Sequence, residues 1–150
     1  MTAADEGIAP SGDSAPGTYP PAGSQPLVVV DASVFGALVF SESRSREAAD
    51  LLAEATLISP GLVRYEMANI GRTKIMRNPE SGALITRAFR RWLELPVRLV
   101  TPDFGGVLSL AVAEQLSAYD AAYVYVAAAL GAPLLTFDEQ LGATWRRISG

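Results

Sequence analysis

Four short, mostly apolar runs recur along the chain, LVVV (27–30), TLIS (56–59), VRLVT (97–101) and PLLT (133–136), and stretches of helical periodicity separate them. The first run is unbroken and valine-rich, as in a strand covered on both faces. Helices are expected over Ser33–Phe40, Ser45–Ala55, Leu62–Met76, Ser81–Leu95, about Phe104–Leu116 and Tyr119–Leu130. Pro96 stops the fourth and Gly131 offers a C-cap to the last. A short helix is expected from Asp138 and a weak edge strand at Arg146–Ser149. Strands alternating with helices specify a three-layer α/β/α fold around a central parallel sheet of four to five short strands. Sites in such sheets form beyond the carboxyl ends of the strands.

Residues 1–26 break this pattern. They are rich in Ala, Gly, Ser and Pro, with Ile8 almost alone among large aliphatics. Such a segment cannot bury enough apolar surface to offset its ordering entropy, so a disordered tail is expected, followed by one domain over 27–150. No basic n-region or apolar h-region is visible at the N-terminus, and Ala121–Leu130 is too short to span a bilayer. A cytoplasmic protein with no membrane contact is expected. Of the net charge of −4, Asp5, Glu6 and Asp13 place −3 in the tail, leaving a near-neutral body that does not advertise nucleic-acid binding by bulk charge.

The chain has no cysteine and no histidine. This excludes disulfide scaffolds, thiol catalysis, Cys/His zinc sites and any histidine base. The acids then stand out. Asp31, Asp103 and Asp138 each follow an apolar strand and open a helix, and each is open to a capping role. Glu66 falls in an apolar stripe with Leu62, Val63 and Ile70, where a carboxylate needs a salt bridge, a proton or a cation. Asp120 is the single charge between Leu116 and Leu130, and an exposed first-turn acid would account for it equally. Strand-end acids projecting to one sheet edge, joined by inward acids from helices, repel one another unless a hard divalent cation is present. Oxygen ligands alone suit Mg²⁺ or Mn²⁺, which support in-line attack on a phosphodiester.

The segments VVVDAS, VRYEMANIGR and LSAYDAAYVYVAAALGAPLLTFDEQL, in that order, resemble the PIN-domain ribonucleases, and among them the VapC-type toxins of bacterial toxin–antitoxin pairs. The resemblance covers nearly all of Leu27–Ser149. It implies a metal-dependent endoribonuclease, the toxin of a type II pair, whose four acids are Asp31, Glu66, Asp120 and Asp138. It further implies that Ser33 hydrogen-bonds a metal-bound water or ligand, with Thr136 in a supporting part. Mg²⁺ or Mn²⁺ as cofactor, an RNA substrate, a homodimer and a cognate antitoxin that inserts a segment into the acidic groove follow from the same resemblance. Asp103 is not among the family's acids, which leaves it the cap reading.

An acidic pocket repels phosphate unless cations frame it. Arg64, Arg72, Lys74 and Arg77 cluster around Glu66 and are candidates for RNA contact, with Arg44, Arg46, Arg87, Arg90 and Arg91 elsewhere. An ordinary solvated helix face would look the same. Tyr65, Tyr119, Tyr123 and Trp92 either stack on bases or serve as core and dimer contacts. A catalytically inactive PIN-like interaction module is the alternative function, against which the presence of all four acids counts. Receiver domains and haloacid-type phosphatases fit poorly: the only lysine, Lys74, lies in a helix, and Ser33 stands where the phosphatase needs a second acid.

Overall fold

The computed structural model describes residues 8–10, 25–40 and 42–150. Among the described residues five strands and seven α-helices follow in the order β1 (Ile8–Pro10), β2 (Leu27–Val30), α1 (Ala32–Val39), α2 (Ser45–Leu52), β3 (Thr56–Pro60), α3 (Val63–Arg77), α4 (Gly82–Leu93), β4 (Arg98–Pro102), α5 (Phe104–Glu114), α6 (Ala118–Leu130), β5 (Leu134–Leu135) and α7 (Glu139–Ser149). The sheet order is β1-β4-β3-β2-β5. Strands β2 to β5 are all parallel, and β1 joins antiparallel at the β4 edge. The expected three-layer α/β/α architecture holds.

Val28, Val29 and Val30 are buried in the middle of the sheet, as their unbroken apolar run requires. Helix α6 packs across β2, β3 and β4, flanked by α5 and α7. On the other face α1, α3 and α4 pack together, with the Phe35 ring edge-on to Trp92 at 5.4 Å and Phe89 stacked on Trp92 at 5.8 Å. Gly131 ends α6 in the left-handed region at φ 61°, where only glycine avoids a side-chain penalty. Gly106 lets α5 approach α6, since a Cβ there would run into the Tyr125 ring.

Two boundaries differ from expectation. Arg146–Ser149 is the last turn of α7, not an edge strand. Leu141, Trp145 and Ile148 recur at helical spacing and all pack on the core, which a strand could not arrange. The fifth strand lies instead in the expected tail: Ile8–Pro10 pairs with β4 in the register Ile8↔Pro102, covering an edge that would otherwise present unpaired backbone. The rest of the tail, up to residue 24, lies outside the described residues. Among the described residues no helix is long and apolar enough to cross a membrane.

Strand β2 is flanked by β3 on one side and β5 on the other, although the chain visits β3 and β4 first. The winding direction therefore reverses between β2 and β5. A crevice opens at the carboxyl ends of strands at such a reversal, and ligands bind there.

Candidate active site

A cavity of about 600 Å³ occupies this crevice. Asp31, Glu66, Asp120 and Asp138 all line it, as do Ser33, Tyr65, Asn69, Tyr119 and Tyr123. Each acid stands at a helix N-terminus: Asp31 and Asp138 are the N-caps of α1 and α7, and Glu66 and Asp120 lie in the first turns of α3 and α6. The partial positive charge of four helix starts thus converges on four carboxylates.

Asp31 is the deepest of them, at 6% exposure. Its Oδ1 accepts from the Ser33 hydroxyl at 2.6 Å and from the backbone N–H groups of Ser33 (3.0 Å) and Val34 (3.3 Å). Its Oδ2 accepts from the Thr136 hydroxyl at 2.6 Å. Burial raises its pKa, and the Ser33 and Thr136 hydrogen bonds oppose that rise. Asp31 therefore caps α1 and lines the cavity at the same time. Below it, the Ser59 hydroxyl donates to the Val30 carbonyl and fixes the strand end from which Asp31 projects.

Ser33 and Thr136 tie the loops of the crevice together. The Ser33 Oγ accepts from the Phe137 N–H at 2.8 Å, and the Thr136 Oγ1 accepts from the Asp138 N–H at 3.0 Å. Thr136 thereby bonds one acid and positions the backbone of another. Asp138 Oδ1 caps α7 by accepting from the Leu141 N–H at 2.8 Å.

Among the described residues Glu66 has no salt bridge. Its partner is the buried Tyr123, whose phenol donates to Oε1 at 2.6 Å. Burial raises the Glu66 pKa, the Tyr123 bond lowers it, and the charges of Asp31 and Asp120 raise it again. The Asp120 pKa is raised by burial and then by Asp138 and Asp31. Tyr123, buried against Glu66, is pushed far up and stays a proton donor. These carboxylates feel one another's charge across the cavity. The three ion pairs among the described residues, Arg44–Glu47, Lys74–Glu42 and Arg147–Glu114, involve none of them.

The basic residues fall elsewhere. None of Arg64, Arg72, Lys74 and Arg77 lines the cavity. Arg64 borders a small depression with Trp92 and Leu95, and Lys74 lies 3.5 Å from Glu42. Arg44 comes nearer, its guanidinium 3.6 Å from the ring centroid of Phe137, the residue between Thr136 and Asp138. Asp103 caps α5 through Gly105 and Gly106 and is absent from the cavity, as the cap reading required. Trp92 and Tyr123 are core residues, whereas Tyr65 and Tyr119 are exposed. Asn69, one turn after Glu66, was not singled out by sequence; its i+3 spacing from an inward acid was the available signal.

A parallel α/β sheet with an acid-lined crevice at its winding reversal defines a class of proteins that act at the carboxyl edge of the sheet. The family model of the PIN domain matches residues 28–145, and the chain belongs to this family. It is 33% identical over 119 residues to "Ribonuclease VapC3" of Pyrobaculum aerophilum, covering 76% of this chain and 91% of that protein. It is 34% identical over 120 residues to "Ribonuclease VapC9" of Mycobacterium tuberculosis, covering 79% and 91%. The crystal structure of PAE2754 from Pyrobaculum aerophilum superposes with a TM-score of 0.63 at 28% identity, over 79% of this chain and 86% of that one. Within the PIN family, the chain is of the VapC type.

Proposed function

We propose that the chain is a Mg²⁺- or Mn²⁺-dependent endoribonuclease that hydrolyses RNA phosphodiesters in the cytoplasm as the toxin of a type II toxin–antitoxin pair. The observation that carries this reading is the set of four carboxylates in one crevice with no basic partner among the described residues. The names of the VapC relatives support it. The inactive-module alternative is disfavoured, because a surface used only for docking gains nothing from gathering acids whose charges raise the pKa of Glu66 and Asp120.

The donor set fits a hard divalent cation. It offers carboxylate oxygens and no sulfur or imidazole. Oxygens remain available: among the described residues the Asp120 carboxylate accepts no hydrogen bond, and Glu66 Oε2 and Asp138 Oδ2 have none. Among the described residues no three acids are gathered tightly enough to hold one ion as they stand, so ligation would draw the side chains inward. When bound, such an ion stabilises charge on the phosphate and acidifies water. The protein's own part is orientation. Asp31 is held by four donors and cannot rotate, and Tyr123 holds one oxygen of Glu66. Glu66 Oε2 is suited to take a proton from an attacking water, because burial keeps its basicity above that of an ordinary carboxylate.

Arg64, Arg72, Lys74 and Arg77 would meet the RNA outside the cavity, along α3. An antitoxin would inhibit by inserting a cationic side chain among the unpaired acids. A homodimer is supported by α5, where Phe104, Leu108 and Val112 recur every four residues and are all exposed.

The test is cleavage of RNA with Mg²⁺ or Mn²⁺ by the natural chain and by Asp31→Asn. Cleavage by the first and none by the second is expected. Equal cleavage by both overturns the assignment.

A further inference from the structure

Arg44 opens helix α2, where the partial positive charge of the helix start disfavours a cation. Among the described residues its side chain makes no cap there. It is engaged elsewhere. Nε and Nη2 donate to the two carboxylate oxygens of Glu47, both at 2.8 Å. The guanidinium held in this way lies over the Phe137 ring, 3.6 Å from its centroid. The charge of Glu139, in the first turn of α7, acts on it as well. One side chain therefore joins the start of α2 to the segment between β5 and α7.

The contact does little for the fold. An exposed ion pair contributes little, and both partners of this one are half exposed. The Phe137 ring already packs against the core. What the contact reaches is the acidic cavity. Phe137 stands between Thr136 and Asp138. Its N–H donates to Ser33 Oγ at 2.8 Å, and the Ser33 hydroxyl donates to Asp31 Oδ1 at 2.6 Å. The Asp138 N–H donates to Thr136 Oγ1, whose hydroxyl donates to Asp31 Oδ2. Asp138 is itself exposed, so its place is set by this backbone and by its cap on α7.

We propose that Arg44 is a positioning residue: paired to Glu47 and laid over Phe137, it clamps the β5–α7 segment and so fixes Asp138 and the Ser33–Asp31 bond from outside the cavity. The inference rests on the ribonuclease reading for the reaction it serves. Arg44 does not line the cavity, and it acts through Phe137 rather than on substrate or cation. An exposed cation–π contact is strong enough to shift a local equilibrium roughly 2- to 5-fold. Its loss lowers the population of the ordered segment by no more than that factor, and apparent metal affinity and turnover fall with the population.

The experiment compares the full chain with Arg44→Ala, Arg44→Lys, Phe137→Leu and the double variant Arg44→Ala/Phe137→Leu. Three quantities are measured: amide hydrogen exchange in EDTA, Mn²⁺ affinity by calorimetry, and cleavage of RNA over a range of salt. In Arg44→Ala the Phe137 and Asp138 amides are expected to exchange roughly 2- to 5-fold faster. Mn²⁺ affinity and kcat fall by a similar factor, while KM and its salt dependence stay as they are. Arg44→Lys keeps the charge but not the planar fork that grips both Glu47 oxygens, so it behaves as alanine does. Phe137→Leu reproduces the change, and the double variant adds nothing to it, as two halves of one contact require. Unchanged exchange and Mn²⁺ affinity in Arg44→Ala overturn the inference. So does a raised KM at constant kcat, with a salt slope shallower by about 1 and rescue by lysine, because Arg44 is then a phosphate contact. Both results leave the ribonuclease reading intact. Failure of the natural chain to cleave RNA removes that reading, and the exchange measurement still decides whether Arg44 holds the segment. Arg44 is exposed, and unchanged thermal melts of its variants establish that the fold is preserved.

Discussion

The Tyr123 hydroxyl donates to Glu66 Oε1 at 2.6 Å and joins helix α6 to helix α3 across the cavity. The bond holds one Glu66 oxygen and leaves the other for chemistry. It also opposes the rise that burial imposes on the Glu66 pKa. Tyr123→Phe removes the donor and nothing else, so Glu66 holds its proton to higher pH. If Glu66 works as a base, the acid limb of the pH–rate profile moves upward in this variant. Stability falls by about 1–2 kcal/mol, the range for a hydrogen bond to a partly solvated charged group. Urea unfolding checks the second effect. An unmoved acid limb would remove Glu66 from the proton-accepting role.

Asp31 and Asp103 form a natural control pair. Both end a strand, both cap a helix, and only Asp31 lines the cavity. Asp103→Ala is expected to lose about 1 kcal/mol of stability and no ribonuclease activity, because a cap is all it supplies. Asp31→Asn keeps an N-capping side chain and abolishes cleavage. Asp31→Ala loses both. Loss of cleavage in Asp103→Ala, at unchanged folded fraction, would mean the site extends to β4.

The contrast shows which parts of the molecule were legible in sequence. The apolar run at 27–30 and the helical periods specified the parallel α/β layers, because burial on both faces and on one stripe leave different patterns. The four acids were legible only as a set, each alone being explicable as a cap or a first-turn charge. The strand at Ile8–Pro10 was not legible: its pairing is decided by the open edge of β4, ninety residues away in the chain, not by its own composition. The hydrogen bond from Tyr123 to Glu66 was hidden for the same reason, since 57 positions separate the two. The cations of α3 looked like a frame for the acids because they are near in sequence. Helix geometry turned Arg64 away from the cavity, and Glu42 took Lys74.

Gathering unpaired acids destabilises the fold at neutral pH. Asp31, Glu66 and Asp120 all have raised pKa values, burial being the largest cause for each. The folded chain therefore holds these protons more tightly than the unfolded chain. The resulting stability is complete below the ordinary values of 3.8 for aspartate and 4.5 for glutamate, and is lost as pH rises through the folded values. Asp120→Asn in EDTA is thus expected to melt higher than the natural chain at pH 7, by about 2–4 °C per kcal/mol of repulsion relieved, with the gain vanishing near pH 4. Mn²⁺ raises the melting temperature of the natural chain and much less that of the variant. Calorimetry with and without the metal reads both. A natural chain indifferent to millimolar Mn²⁺ would count against the cation site.

Thr136 bridges two acids through one oxygen, donating to Asp31 Oδ2 and accepting from the Asp138 N–H. Thr136→Val preserves shape and deletes that oxygen. It strands a carboxylate oxygen beside an apolar methyl, which costs about 1–3 kcal/mol, and frees the β5–α7 loop that carries Asp138. Cleavage is expected to fall with stability in the valine variant and to return in Thr136→Ser, which restores the hydroxyl. Retained activity in Thr136→Val, measured well below its melting temperature, would show that Ser33 and the Val34 N–H suffice to position Asp31.

Helix α5 carries the proposed contact between copies. Phe104, Leu108 and Val112 lie along one stripe and are exposed, although the helix buries its other face through Val107 and Ala111 against α6. An isolated exposed apolar residue needs no explanation, but a row of three at helical spacing on a helix whose single charge is its last residue, Glu114, does. Leu108→Glu places a carboxylate at the centre of that row. If the stripe joins two copies, the natural chain sediments as a dimer and the variant as a folded monomer, with its thermal melt still cooperative. The cavity lies at the opening turns of α3 and α6, so cleavage chemistry should survive in the monomer with kcat largely unchanged. A dimer that persists in Leu108→Glu would assign this stripe to another partner.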